Sequence, residues 1–86
     1  HAHIHAPPDN TERLIEAFYD RLKHVHMHDN KNNLDLHLPL GSGTIPWQRF
    51  IRTLKGSGYD GTITLEVFSE DKRFVRTCRD LLQECW

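Results

Sequence analysis

The residues best equipped for chemistry lie in one run, Lys23-His24-Val25-His26-Met27-His28-Asp29-Asn30. Three imidazoles alternate with apolar side chains at period two, which is strand spacing. His24, His26 and His28 are therefore expected on one face, with Val25 and Met27 on the other. A strand that ends in His-Asp-Asn delivers metal ligands or proton carriers to its mouth. Downstream, Asp35-Leu36-His37 places two ligand-type side chains on one side of an extended loop, and Glu66 falls near the end of a second, mostly apolar strand. A carboxylate buried on such a strand must be paired or metal-bound. The joint pattern points to a divalent-metal site. Imidazole mixed with carboxylate suits Zn²⁺, Mn²⁺, Co²⁺ or Fe²⁺ better than Mg²⁺.

Each group also has an ordinary structural explanation. Glu66 as an edge-strand residue would face water, and His26 would be a packed or hydrogen-bonded histidine. Asp35 and His37 would sit on a solvated loop, Asp29 with Asn30 would cap a turn, and His24, deeper along the strand, would be structural. The metal reading needs the imidazole of His26 and the carboxylate of Glu66 to converge from neighbouring parallel strands, about 4.8 Å apart.

The elements that must position these groups follow from periodicity and breakers. Pro7-Pro8 stops any regular element after the His1-Ala2-His3-Ile4-His5 opening. Asp9 is a candidate N-cap with Glu12 as its capping-box partner. Leu14, Ile15, Phe18 and Leu22 recur at helical spacing, which predicts a first helix over about 10–21. A first strand follows over about 23–28 and a polar loop over 29–39. Leu40-Gly41-Ser42-Gly43 is a tight bend, but its spacing is that of neither a Walker loop nor a dinucleotide fingerprint. A second helix starts near Thr44 or Ile45 with Pro46 in its first turn, buries Trp47, Phe50, Ile51 and Leu54, and ends at Gly56 and Gly58. The second strand is Thr62 to Phe68. A third helix over about 71–85 is expected to bury Phe74, Val75, Cys78, Leu81, Leu82 and Cys85.

Two strands separated by a helix should pair in parallel through a right-handed crossover. Such a sheet has open edges and needs partners. The pattern reads as a portion of a larger α/β body or as a module that depends on an oligomer.

The 86 residues suffice for one small domain with a modest core. Apolar residues make up 37% and charged residues 27%, and the formal net charge is -1. That balance offers no field for nucleic acid or an anionic membrane. Nothing approaches the roughly 20 apolar residues of a membrane span. Cys78 and Cys85 lie two turns apart on one predicted helix, about 10 Å between Cα atoms and too far for a bridge. They read as reduced core thiols, which fits a cytoplasmic protein. Trp47 and Trp86 read as core or interface groups. The first residue is not Met, so the opening histidines are either a purification remnant or the start of a piece of a longer chain.

Read whole, His24-Val25-His26-Met27-His28-Asp29-Asn30, then Asp35 to Trp47, then Gly58 to Glu66 resemble the C-terminal part of the xylose isomerase-like TIM barrels. That superfamily holds sugar isomerases, sugar epimerases and the type IV AP endonucleases. The resemblance runs from about residue 1 to 85. It implies an α/β fold, a partial barrel domain over 1–86 covering about strands 6–8 of a (β/α)8 barrel, with strand one as barrel strand seven and strand two as strand eight. It implies that His26 and Glu66 are metal ligands and that Glu66 is also the catalytic acid/base. His1 and His28 become expected substrate contacts, His1 being a metal contact in the endonucleases. Asp35 and His37 match the pair that holds an additional zinc there.

The activity so implied is isomerisation or epimerisation of a sugar or sugar phosphate through an enediolate, with Mn, Co, Zn or Mg as the divalent metal. The expected partners are a small sugar substrate and the remainder of the barrel or another copy, with no membrane and no nucleic acid. One alternative is a zinc-dependent AP endonuclease acting on abasic DNA, which the missing basic surface disfavours. The other is a non-catalytic fragment. An eight-stranded barrel typically takes about 250 residues, so these 86 alone are not expected to catalyse.

Overall fold

The structure, a computed structural model, describes residues 1–4 and 10–86. Among the described residues five elements follow one another: α1 (Asn10–Phe18), β1 (His24–Met27), α2 (Trp47–Gly56), β2 (Thr62–Leu65) and α3 (Lys72–Cys85). β1 and β2 pair in parallel, with His24 opposite Thr62, Val25 opposite Ile63, His26 opposite Thr64 and Met27 opposite Leu65. The Glu66 amide continues the ladder by donating to the Met27 carbonyl at 2.9 Å. The connection between the strands carries α2, as parallel pairing requires.

The core forms where the helices meet the sheet. Met27, Leu40, Trp47, Ile51, Val67 and Cys78 are buried together, with Ile45, Ile63, Leu65, Val75, Leu81 and Leu82 packed against them. α2 buries the predicted four, Trp47, Phe50, Ile51 and Leu54. It ends where Gly58 takes φ +80°, a left-handed conformation that glycine adopts without a Cβ penalty. α3 starts at Asp71, whose side chain accepts from the Arg73 amide, as an N-cap acid should.

Several packing expectations change. α1 stops at Phe18 instead of running to 21, closing in a tight turn through Arg21 N to Phe18 O at 2.9 Å. None of its residues is buried, and Leu14 and Phe18 stay 39% and 44% exposed, because among the described residues α1 packs on α2 with no further element over its apolar side. On α3 the stripe facing the sheet is centred on Cys78. Phe74 lies at its margin and remains exposed. Cys85, the helix's last residue, is also exposed and is not a core thiol. Trp47 is a core residue, but Trp86 is 40% exposed. The proposed cap Asp9 lies outside the described residues. Its expected partner Glu12 instead holds Arg49 of α2 in a two-pronged ion pair, with Arg49 Nη2 donating to Oε2 at 2.6 Å. No helix among the described residues is long and apolar enough to cross a membrane.

Candidate metal centre

The matched register brings the ends of β1 and β2 to the same level. His26 Nδ1 lies 3.4 Å from Glu66 Oε2, an approach that places both donors within reach of one ion. Both side chains are partly accessible. His24, one pleat deeper, meets the Thr64 hydroxyl at 2.9 Å and rests against His26 with ring centroids 4.8 Å apart. His24 and His26 thus share a face.

A second group forms just above this pair. Donor atoms of His1, His28, Asp35 and His37 all lie within 4.8 Å of one another. His1 Nε2 is 2.9 Å from Asp35 Oδ2, and His37 Nε2 is 3.2 Å from Asp35 Oδ1. The predicted ligands His26, Glu66, Asp35 and His37 are therefore divided between two adjoining clusters. His37 borders both, since its Nδ1 lies 3.0 Å from the Glu66 carbonyl and 3.9 Å from the Glu66 carboxylate. The hydrogen bond from the His1 imidazole keeps the Asp35 carboxyl below the usual carboxylate range. Burial, followed by the neighbouring His37, lowers His28 below the ordinary histidine value, while the Asp29 backbone works in the other direction.

His37 is held firmly for a loop residue. Its backbone takes φ +50°, uncommon for a residue with a side chain. Its ring stacks between His28, 3.9 Å away at 17°, and Phe68, 4.2 Å away at 2°. The Phe68 amide also donates to the His37 carbonyl at 3.0 Å. Phe68 carried no signal in the sequence beyond its place after Glu66.

Asp29 and Asn30 do not serve the mouth of the strand as ligands. Both are fully buried and organise the long loop. Asp29 Oδ2 accepts from Gly41 N at 2.9 Å and Gly43 N at 3.0 Å, and Oδ1 accepts from Asn30 N at 2.8 Å and Ile45 N at 3.1 Å. The amides of the glycine-rich bend are thus spent on an internal carboxylate and are not available to a phosphate. Asn30 Oδ1 accepts from the amides of Leu36 and His37 at 2.5 and 3.1 Å, which fixes the backbone of the Asp35–His37 segment. An antiparallel bridge between Asp29 and Leu38 closes the loop.

The residues present fit a divalent cation. His37 Nδ1 donates to the Glu66 carbonyl, so in a neutral ring its Nε2 turns a lone pair toward Asp35 Oδ1. Two electron-rich atoms facing each other are relieved only by a proton or a cation between them. A backbone carbonyl on the far nitrogen is also the usual way of orienting a ligating histidine.

In barrels built from parallel β/α units ligands gather at the carboxyl ends of the strands, and His26 and Glu66 meet at that end of the β1–β2 pair. The sequence matches the xylose isomerase-like TIM barrel family over residues 1–85, and the chain belongs to that family. It is 46% identical over 84 residues, 98% of this chain, to the uncharacterized protein MJ1311 of Methanocaldococcus jannaschii. It is 33% identical over 63 residues, 72% of this chain, to the L-ribulose-5-phosphate 3-epimerase UlaE of Escherichia coli. The chain spans 28% and 22% of the lengths of these two relatives. No solved structure matches it.

Proposed function

We propose that this chain is the C-terminal part of a barrel, about strands 6–8, that isomerises or epimerises a sugar or sugar phosphate with the help of a divalent metal. In this reading residues 1–86 form one partial domain, and β1 and β2 are barrel strands seven and eight. The open edges of the two-stranded sheet and the short coverage of the relatives support it. A cavity of about 340 Å³ runs along β1 beneath Leu14, Phe18 and Phe50, where a preceding strand would lie.

The observation that carries the reading is the 3.4 Å approach of His26 Nδ1 to Glu66 Oε2. His26 and Glu66 would hold the metal with ligands from earlier strands, and Asp35 and His37 would complete the centre. Bound there, Mn, Co, Zn or Mg would supply Lewis-acid polarisation of neighbouring substrate oxygens. Glu66 takes or returns the proton at the reacting carbon, as a general base held beside an imidazole can. His1 and His28 border the same space and contact substrate. The name of the Escherichia coli relative supports a pentulose phosphate as the first substrate to try. The setting is that of a small-molecule enzyme of the cytoplasm, needing the rest of the barrel or a further copy.

The test is wash-in of solvent deuterium at the carbons flanking the carbonyl of ribulose 5-phosphate, with and without added Mn²⁺. Metal-dependent exchange supports the reading; its absence across several ketose phosphates would overturn it.

One observation favours a second reading. The donors of His1, Asp35 and His37 converge beside, not within, the His26–Glu66 pair. Two adjoining metal positions are what a zinc-dependent AP endonuclease would use. Elemental analysis of the intact protein separates the two: about one transition ion per chain for the epimerase, two or three zincs for the nuclease.

A further inference from the structure

His28 and His37 stack on one another, yet their hydrogen bonds oppose each other. Asn30 cannot be turned around, because its Oδ1 already accepts the amides of Leu36 and His37. Its Nδ2 must therefore be the atom that faces His28 Nδ1 at 3.1 Å, in a buried contact. An amide nitrogen only donates, so His28 Nδ1 only accepts. The proton of a neutral His28 then sits on Nε2. His37 is the reverse case: its Nδ1 donates to the Glu66 carbonyl, and its Nε2 carries the lone pair.

Ring geometry makes the same distinction independently. An imidazole binds a metal in its own plane, at about 2.0–2.1 Å from nitrogen. The rings of His28 and His37 lie 3.9 Å apart with planes only 17° from parallel, so their in-plane lone pairs run side by side and do not meet. His1 and His37, at 68°, are angled so that their lone pairs can converge.

We infer that His28 is not a ligand of the metal group it adjoins but a fixed Nε2–H donor, set by Asn30, that holds an oxygen atom of an anionic or carbonyl ligand on the metal. Asn30 is its positioning residue. The inference rests on the proposed metal centre for its ligand, but the state of the ring can be read without metal. The donor discriminates chemically: it favours ligands with an accepting oxygen and gives nothing to a ligand presenting a hydrogen at that place.

The test begins with ¹⁵N NMR of the histidine rings in the intact, metal-free protein. His28 is expected as the Nε2–H tautomer, and Asn30→Asp, which accepts at both oxygens, is expected to invert it to Nδ1–H. A protonated Nδ1 in the unaltered protein overturns the inference. Zn²⁺ titration then compares His28→Phe, which keeps the stack and removes the donor, with His37→Gln. Zinc affinity should change less than about twofold in the first and fall at least about tenfold in the second. Inorganic phosphate, as an oxyanion probe of the zinc-loaded protein, should bind about tenfold more weakly to His28→Phe, the loss of one charge-assisted hydrogen bond. Equal loss of zinc in both variants, or unchanged phosphate binding, overturns it. A protein that takes up no zinc refutes the proposed function instead, and the tautomer measurement still decides the assignment of His28.

Discussion

The backbone of Gly43 lies against the carboxylate of Asp29 so closely that a β-carbon at position 43 would stand 2.3 Å from Asp29 Oδ1 and 2.2 Å from the Asn30 carbonyl oxygen. Neither obstacle is the free end of a flexible chain. Asp29 is held by four amides, and the Asn30 carbonyl accepts both the amide and the hydroxyl of Thr44. Gly43→Ala should therefore displace the loop, not merely crowd it. We expect a loss of about 2–4 kcal/mol of stability, in the range of overpacked interiors and broken hydrogen-bond networks. Thermal denaturation of the intact protein checks this. An unchanged midpoint would mean that the loop is looser than described.

Asp29 itself offers a sharper contrast. Each of its oxygens accepts two backbone amides, so an amide in its place can satisfy only one pair and must turn its own N–H bonds toward the other. Asp29→Asn should cost about 2–3 kcal/mol through the donors left unpaired in a buried site. It should also reduce metal binding, because the loop it holds carries His37. Denaturation and a Zn²⁺ titration of the same variant measure both effects. Full stability with weakened zinc would instead make Asp29 part of the centre.

Much of this was legible because the signals were local. Period-two alternation placed β1, and helical spacing placed the buried face of α2 and the extent of α3. The approach of His26 to Glu66 was also accessible, since parallel strands of equal length end together. For Asp29 and Asn30 the sequence left two roles open, because acids and amides look alike as ligands and as scaffolding. Only the positions of Gly41, Gly43, Leu36 and His37 in space show where their hydrogen bonds go. The exposed apolar positions of α1 and α3 were equally illegible. Periodicity identifies an apolar face but says nothing about what covers it.

Glu66→Gln separates proton transfer from folding. The carboxylate is partly accessible and its backbone, not its side chain, carries the ladder bond to Met27. The glutamine variant should keep the fold within about 0.5 kcal/mol, as surface replacements do. Turnover should fall at least about a hundredfold, the usual contribution of a positioned acid or base. Deuterium exchange into a ketose phosphate is the measurement. Retained exchange would remove Glu66 from the chemistry.

The last prediction concerns acid. The Arg73 side chain, and then the Arg73 amide, hold the Asp71 carboxyl below the usual carboxylate value of 3.8. A carboxyl depressed in the folded state binds its proton more weakly there than in the unfolded chain, so its contribution is complete above 3.8 and disappears as pH falls through the lower folded value. Asp71→Asn keeps an oxygen for the Arg73 amide but removes the charge. The variant should melt slightly below the unaltered protein at neutral pH, the difference being small because exposed ion pairs are screened. The two melting curves should then converge as the solution is taken below pH 3.8. A difference that persists in acid would mean that Asp71 acts through its hydrogen bond to the helix start alone, with no part for its charge.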